Sequence, residues 1–411
     1  MKTCATPRVL HLHTLSVVSG SGLNTLATLA RLRDHGFEAE LACGGEGGLA
    51  DLARKAGIRV HGIAHLDRPL RPLDDARALL EIASLLRRER FDVVHTHNSK
   101  AGLLGRLAAR LCRVPALIHT VHGWAFEQSR STARRALYRA AERGAAPLAH
   151  RTILVSEALE TTAQTARVPG AAHREVLYSG IDLASFRRAS RDVALRGKLG
   201  AGKGTFLVGQ VAKLWEGKGH LALLRAFARL RERVPEARLA IVGDGPLRSA
   251  IERASVDLGV SHHVIFTGHR DDVARVTAQF DVATLLSDYE GMGRVVVEAL
   301  AAGVPVVASR RGGIVELVNE GETGFLVNAA DSEDVAGRLA RLAGDPLLRE
   351  RMAQRARISV DGRFDEHFMA TRIAAIYRRV LVEARGRSRS RVWADWPHPA
   401  ASAPGEPESC I

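Results

Sequence analysis

The chain has 411 residues, 46% of them hydrophobic and 25% charged, a composition that supports a buried core and excludes wholesale disorder. At roughly 150 residues per domain, that length suggests two or three domains. Lysine and arginine number 59 against 45 acidic residues, a net charge of +14, which points to an anionic partner such as nucleic acid, an acidic membrane surface or a phosphorylated ligand.

The first half alternates strand-like and helix-like segments. Val9 to His13 reads as a strand, followed by the turn Ser19-Gly20-Ser21-Gly22 and a helix from Leu23 to His35. Strands are expected at Phe37 to Cys43, Ile58 to Ile63, Val93 to His97, Ala116 to Val121 and Thr152 to Val155, with helices at Leu73 to Arg88 and Ala101 to Leu111. This rhythm implies a mostly parallel sheet with helices on both faces. It breaks near Gly180-Ile181-Asp182, and the polar, basic stretch 186–204 suits a linker. A second series follows: strands at Phe206 to Ala212, Arg238 to Val242, Val264 to Thr267, Val282 to Leu286 and Val304 to Ala308, with helices at His220 to Arg233, Val295 to Ala302, Asp331 to Ala343 and Phe368 to Ala384. The fold class is therefore α/β, with two doubly wound domains in tandem. Ligands in such sheets bind at the carboxyl ends of the strands, so facing domains would place a cleft between them. The tail 386–411 is Arg/Ser-rich, then Pro/Ala/Ser-rich, and is expected to be disordered; Trp393 and Trp396 within it have no assigned role.

The four cysteines, Cys4, Cys43, Cys112 and Cys410, form no Cys-x-x-Cys pair, so neither a zinc ribbon nor a redox motif is indicated and free thiols are expected. Met1 to Pro7 is polar, and the apolar run after it is broken by His11 and His13, so no secretory leader is expected. No stretch approaches the roughly 18 apolar residues of a membrane span. The expected location is cytoplasmic, with any membrane contact made by a surface.

The densest chemistry is Ser287-Asp288-Tyr289-Glu290-Gly291-Met292-Gly293-Arg294, leading into a helix that carries Glu298. Glycines at a strand-to-helix turn let a ligand approach the backbone, the helix start offers N–H groups to an anion, and carboxylates accept hydrogen bonds from sugar hydroxyls. A turn-capping Glu290 and a solvated Glu298 fit the same residues. Downstream stand Gly303-Val304-Pro305-Val306-Val307, Gly312-Gly313-Ile314 with Glu316, and Gly321-Glu322-Thr323-Gly324. The whole stretch resembles the donor-binding half of glycosyltransferase family 4, retaining enzymes of the GT-B fold, with two Rossmann-like domains facing a central cleft. The family's Glu-x7-Glu pair matches Glu290 and Glu298. The resemblance implies that Glu290 lies beside the donor sugar and Glu298 holds the ribose. It also implies that Gly291, Met292, Gly293 and Arg294 present backbone N–H groups to sugar and diphosphate.

Further matches extend the resemblance. Lys213 and Lys218 stand where the family clamps the nucleotide diphosphate, with Lys213 at a position often held by arginine. Two fixed cations there would stabilise a departing diphosphate. Gly243, in Val242-Gly243-Asp244-Gly245, matches a turn beside the nucleotide, and Arg270 falls near the expected base. In the first domain, Gly20 and Gly22 precede a helix and are candidates for the donor phosphate, a plain tight turn being the alternative. The runs His95-Thr96-His97-Asn98 and His119-Thr120-Val121-His122 put four histidines at two strand ends. No cysteine or carboxylate completes a site there, so no metal is expected. They resemble a bacterial surface-polysaccharide subgroup of the family, which implies that His122 contacts the donor sugar while His97, Asn98, Ser99 and Lys100 line the acceptor side. No Asp-x-Asp occurs, which fits a metal-independent enzyme without a cofactor.

The resemblance implies residues 1–185 as the acceptor-side domain, 186–204 as the linker, 205–365 as the nucleotide-sugar domain and 366–385 as a helix returning to the first domain. It implies a sugar transfer from a UDP- or GDP-sugar to a lipid-linked saccharide in capsule, exopolysaccharide or O-antigen assembly. Between Arg130 and Arg143, an alanine-rich stripe with Leu137 opposes Arg134, Arg135, Arg139 and Arg143, either a helix packed on its own domain or a basic face for anionic lipid. Two other classes compete: a nucleotide-sugar epimerase of the same fold, and a basic nucleic-acid-binding protein. The second is disfavoured because no helix-turn-helix, zinc or RNP-type motif occurs and aromatic residues are only 5%.

Overall fold

The computed structural model describes residues 6–387. Cys4, Cys410, Trp393, Trp396 and the stretch expected as a tail from 388 onward lie outside the described residues; Cys43 and Cys112 are free thiols.

The first sheet has seven strands: β1 (Arg8–His13), β2 (Glu38–Gly44), β3 (Val60–Ile63), β4 (Val93–His97), β5 (Ala116–Val121), β6 (Arg151–Leu154) and β7 (Arg174–Val176), in the order β3-β2-β1-β4-β5-β6-β7. The second has six: β8 (Leu207–Val211), β9 (Arg238–Val242), β10 (Val264–Gly268), β11 (Val282–Leu285), β12 (Val306–Ser309) and β13 (Gly324–Val327), in the order β10-β9-β8-β11-β12-β13. Every pairing is parallel. Central strands such as β5 are buried along their whole length, as parallel strands covered on both faces must be. The strand order reverses between β1 and β4 and again between β8 and β11. Such switch points open a crevice at the carboxyl ends of the strands, and both face the junction of the domains.

Two chain crossings join the domains side by side. Ile181 N–H donates to the Phe364 carbonyl at 2.9 Å, and Glu366 N–H donates to the Ile181 carbonyl at 3.0 Å. The last helix, Glu366–Arg387, then packs on the first domain against Gly20–Leu32 and β5; it runs through residues 386 and 387, which the sequence assigned to the tail. A continuous apolar cluster spans the junction, with Trp124, Phe126 and Leu159 from one side and Met292, Val296 and Ile314 from the other. Glu316 fastens the same junction. Its carboxylate accepts N–H groups of Glu157 at 3.0 Å and Ala158 at 2.6 Å, and the Tyr178 hydroxyl at 2.8 Å.

The stretch 186–204, expected as a polar linker, carries the helix Val193–Lys198, capped by the Asp192 side chain. Arg196 fastens it to the second domain through Asp281 at 2.6 Å, and Leu195 and Leu199 are buried. Elements that the sequence reading lacked include the helices Gly48–Lys55, Glu157–Thr165, Arg248–Asp257 and Pro346–Ser359, and the strands β7 and β13. The two strands are edges of three and four residues, too short to display a period.

The arginine-rich segment forms the helix Thr132–Ala145, in which Ala145 is the buried residue. Ala133, Ala136, Leu137 and Ala140 are solvent-exposed, so the stripe is not covered by its own domain. Among the described residues no helix is long and apolar enough to cross a membrane.

Candidate active site at the domain junction

The loops following β8 and β11 emerge side by side, because these strands are neighbours at the switch point. After β8 comes Lys213 to Lys218. Its backbone is held from beneath: Gln210 Nε2 donates to the Lys218 carbonyl at 2.9 Å, and His220 lies 2.9 Å from the Lys213 carbonyl and 2.8 Å from Gln210 Oε1. The two lysines are thereby fixed at either end of one rigid loop. The Lys213 ammonium sits 4.8 Å from the centre of the Trp215 ring, a cation–π distance. Desolvation, and then repulsion by Lys218, lower its pKa to about 8.

After β11, Ser287 Oγ lies 2.9 Å from Glu290 Oε1, and Lys218 Nζ is ion-paired with the same carboxylate oxygen. The two conspicuous sequence motifs therefore meet in one salt bridge. The helix Arg294–Ala301 begins at Gly293, which has φ +95°, a conformation that disfavours any other residue. Glu298 is buried; burial raises its pKa against the opposing pull of Arg294, whose Nη2 is 3.4 Å away. Arg294 Nη1 is buried without a hydrogen-bond partner among the described residues, so a cationic donor is available for a ligand. Arg294 was expected to act through its backbone; its guanidinium is an additional group that the sequence did not single out.

Across the junction stands His122. A Cβ on Gly291 would lie 2.0 Å from the His122 carbonyl oxygen, so only glycine permits this approach of the two loops. The neighbouring Trp124 N–H donates to the Tyr289 hydroxyl at 2.9 Å. Gly20, in the first turn of its helix, lies near the Arg294 side chain, a Cβ there coming within 3.9 Å of Arg294 Cδ. His122, Gly20, Arg294, Glu290, Lys218 and Lys213 thus gather where the carboxyl edges of the two sheets meet. Cations and carboxylates beside free helix-start N–H groups suit a diphosphate carrying a polyhydroxylated group.

Other expected residues make local contacts of their own. Gly243 has φ +134°, and a Cβ there would lie 2.1 Å from the Ala212 carbonyl, so its glycine identity follows from packing. Gly22 N–H donates to the capping Ser19 Oγ at 3.1 Å, and this residue is buried. The Met292 side chain is turned into the junction core, 3.2 Å from Ser179 N. Arg270 is bound to Asp272 at 2.6 and 2.7 Å. On the proposed acceptor side, two residues are engaged within the first domain. His97 is 1% exposed and cannot line a surface. Lys100 is tied to Asp75 at 2.6 Å and to the Pro69 carbonyl. Asn98 adopts φ +60° before its helix, and Ser99 is exposed.

The four-histidine group is also redrawn. His119 faces the opposite side of the sheet, 2.9 Å from Thr96 Oγ1, because β5 alternates its side chains. Its place is taken by His11 and His13 of β1. His11, His95 and His97 bring one ring nitrogen each within 4.8 Å of one another. Their rings stack (His95 on His97 at 4.4 Å, His11 on His97 at 5.1 Å), and all six nitrogens have hydrogen-bond partners. In this arrangement the three imidazoles form part of a hydrogen-bond chain.

Comparison with known proteins identifies relatives of this chain. The family model described as "Glycosyltransferase Family 4" matches residues 18–185, and that of "Glycosyl transferases group 1" matches residues 193–359. The chain is 30% identical, over 345 residues, to the UDP-Gal:alpha-D-GlcNAc-diphosphoundecaprenol alpha-1,3-galactosyltransferase of Escherichia coli, covering 83% of this chain and 89% of that one. It is 26% identical to the capsular polysaccharide biosynthesis glycosyltransferase CapM of Staphylococcus aureus, over 79% of this chain and 87% of the relative. The structure of HepE from Anabaena, in complex with UDP and glucose, superimposes with a TM-score of 0.78 at 24% identity, covering 91% of this chain and all of HepE.

Proposed function

Since the chain belongs to glycosyltransferase family 4 and has its two-domain GT-B fold, we propose that it transfers a sugar from a UDP-sugar to a lipid-linked saccharide, with retention at the anomeric carbon, in surface-polysaccharide assembly. The observation carrying this reading is the Lys218–Glu290 pair, which joins the two loops at the switch point opposite His122. The uridine nucleotide is favoured by the E. coli relative and by the UDP complex of HepE.

The residues assign themselves roles in this reading. Lys213, Lys218 and Arg294 receive the diphosphate and stabilise the charge that develops as it leaves. Glu290, already positioned by Ser287 and Lys218, accepts a hydrogen bond from the sugar. Glu298 accepts the ribose hydroxyls, and His122 approaches the sugar from the first domain. The acceptor hydroxyl attacks from the face that the diphosphate leaves, and the departing phosphate oxygen takes its proton. No protein base is required. The cations of this chain supply the stabilisation for which other transferases use a metal ion, and no metal or cofactor is invoked. The acceptor approaches along the first domain near Asn98 and Ser99.

A lipid-linked acceptor needs a membrane-facing surface, and the exposed face of the helix Thr132–Ala145 suits that role. Arg134 and Arg135 flank the exposed Leu137, and each cation near an anionic surface is worth about 1 kcal/mol.

A thermal-shift series with UDP- and GDP-sugars tests the donor, because a ligand of the native state raises the melting temperature. Transfer from the best UDP-sugar to a synthetic polyprenyl-diphosphate-GlcNAc, with product anomers assigned by NMR, tests the reaction. Inversion would refute the mechanism. An epimerised donor formed without acceptor would establish the epimerase instead. Flotation with anionic vesicles tests the membrane face. Arg134→Ala with Arg135→Ala should weaken binding about thirtyfold, from about 2 kcal/mol, and unchanged binding would remove this helix from the proposal.

A further inference from the structure

His122 is the last member of a chain of hydrogen bonds that crosses the first domain. Its Nε2 is 3.1 Å from His97 Nδ1. His97 Nε2 is 2.9 Å from His11 Nδ1, and His11 Nε2 is 3.0 Å from the Tyr377 hydroxyl. That hydroxyl also reaches His95 Nδ1 at 2.6 Å, and His95 Nε2 ends the chain 2.7 Å from Thr120 Oγ1. Four elements supply the links: β1, β4, the end of β5 and the last helix. Tyr377, His11 and His95 are 0% exposed, and His97 is 1% exposed.

Burial keeps every imidazole neutral; His11 and His122 are both lowered to about 3, chiefly by desolvation, and His95 and His97 lie well below the usual histidine range. Desolvation likewise raises the Tyr377 pKa and keeps its hydroxyl protonated. A neutral imidazole has one donor and one acceptor nitrogen, and one hydroxyl hydrogen donates only once. Each contact in the chain therefore fixes the next. The Tyr377 oxygen can accept twice, but a state in which His95 and His11 both donate to it leaves the buried Tyr377 hydrogen unmet. Two states then satisfy all five contacts: every proton directed toward His122, or every proton directed toward Thr120.

The Thr120 end decides between them. Thr120 is buried, and among the described residues its hydroxyl makes this one hydrogen bond. If His95 donated to it, the Thr120 hydrogen would be left without an acceptor, at the cost of an unmet buried donor. Thr120 therefore donates to His95 Nε2, His95 Nδ1–H to Tyr377, Tyr377 to His11 Nε2, His11 Nδ1–H to His97, and His97 Nδ1–H to His122 Nε2. His122 must then carry its proton on Nδ1, the ring nitrogen that has no protein partner among the described residues.

We propose that Thr120, His95, Tyr377, His11 and His97 are positioning residues that lock His122 in the Nδ1–H tautomer, so that it offers a hydrogen-bond donor, and not a lone pair, to the sugar. The effect on transfer rests on the placement of His122 beside the donor; the tautomer does not. A donor at this place suits an oxygen of the sugar that gains negative charge or must be held during transfer, and it excludes His122 as a general base.

The experiment is long-range 1H–15N correlation on the full chain labelled at histidine nitrogens, which distinguishes the two tautomers of each ring. Single histidine substitutions provide the assignments. His11, His95, His97 and His122 should all show the Nδ1–H form at neutral pH. Tyr377→Phe keeps the ring and removes the central link; Thr120→Val keeps the shape and removes the terminal donor. Either should convert His122 to a mixture of tautomers, with transfer falling in proportion to the competent fraction, about twofold at equal populations. Nε2–H at His122 in the parent protein, with Nδ1 accepting from Arg294, would overturn the proposed polarity. A single unchanged His122 tautomer in both variants would overturn the chain as its cause. Altered tautomers with unchanged transfer would separate the chain from the reaction and refute the placement of His122 beside the sugar.

Discussion

Lys213 offers a sharp test of the diphosphate site through pH. Its ammonium is half-buried beside Trp215, and its pKa is lowered from 10.5 to about 8, first by desolvation and then by Lys218. A diphosphate stabilises only the charged form, so donor affinity should be flat below about pH 8 and decline above it, approaching tenfold per unit, or ~1.4 kcal/mol. With the free lysine titrating at about 8 and the bound lysine remaining charged, Kd rises about eightfold between about pH 7.5 and about pH 9. Calorimetric titration with the best UDP-sugar measures this directly. In Lys213→Arg the guanidinium stays protonated throughout that range, so its Kd should change by less than about twofold. The stability of the unliganded protein runs the other way. The unfolded lysine binds more protons than the folded one between about pH 8 and pH 10.5, so the penalty for burying the charge is present below that window and is relieved as pH rises through it. Equal affinity losses in the parent protein and Lys213→Arg would refute the argument, because the titrating group would then lie elsewhere.

Three further outcomes follow from the site. Lys218→Ala and Glu298→Ala should each reduce transfer by roughly 10²–10³-fold with a native circular dichroism spectrum; wild-type turnover in either variant would mean that the donor site is misplaced. Transfer should persist in excess chelator, and its complete loss, restored by a divalent ion, would refute leaving-group stabilisation by the cations of this chain alone. Glu316→Ala removes three hydrogen bonds between the domains and leaves two backbone N–H groups and a tyrosine hydroxyl unmet, so stability should fall by about 1–3 kcal/mol, measured as the denaturation midpoint; an unchanged midpoint would show that this clamp does not hold the junction.

The sequence exposed whatever is local and periodic. The boundaries of Ala116–Val121, His220–Arg233 and Arg238–Val242 are legible to the residue, since each is an apolar run of clear period closed by polar residues. The donor loops were legible because their residues lie close together in the chain. Histidine placement was not legible, because a histidine's role depends on which strand stands beside it. The run His95-Thr96-His97 invites a grouping with His119 and His122, yet strand alternation sends His119 to the other face, and the parallel register brings His11 opposite His95. Tyr377 lies 366 residues from His11 in sequence and 3.0 Å away in space, and no pattern along the chain announces that contact. The same holds for charge. The +14 excess pointed to an anionic partner, but Lys218 is paired with Glu290, and Arg294 stands beside Glu298. The cations of the site are held in place by carboxylates, and this arrangement favours a ligand bearing both a diphosphate and hydroxyls over a bare polyanion. In the proposed reading, an incoming diphosphate would take the positive charges while the sugar and ribose hydroxyls engage the carboxylates. Nucleic acid also carries phosphates, but its closely spaced charges would leave Glu290 and Glu298 facing further negative charge. On the proposed reading, the paired carboxylates supply a basis for selectivity that net charge alone does not.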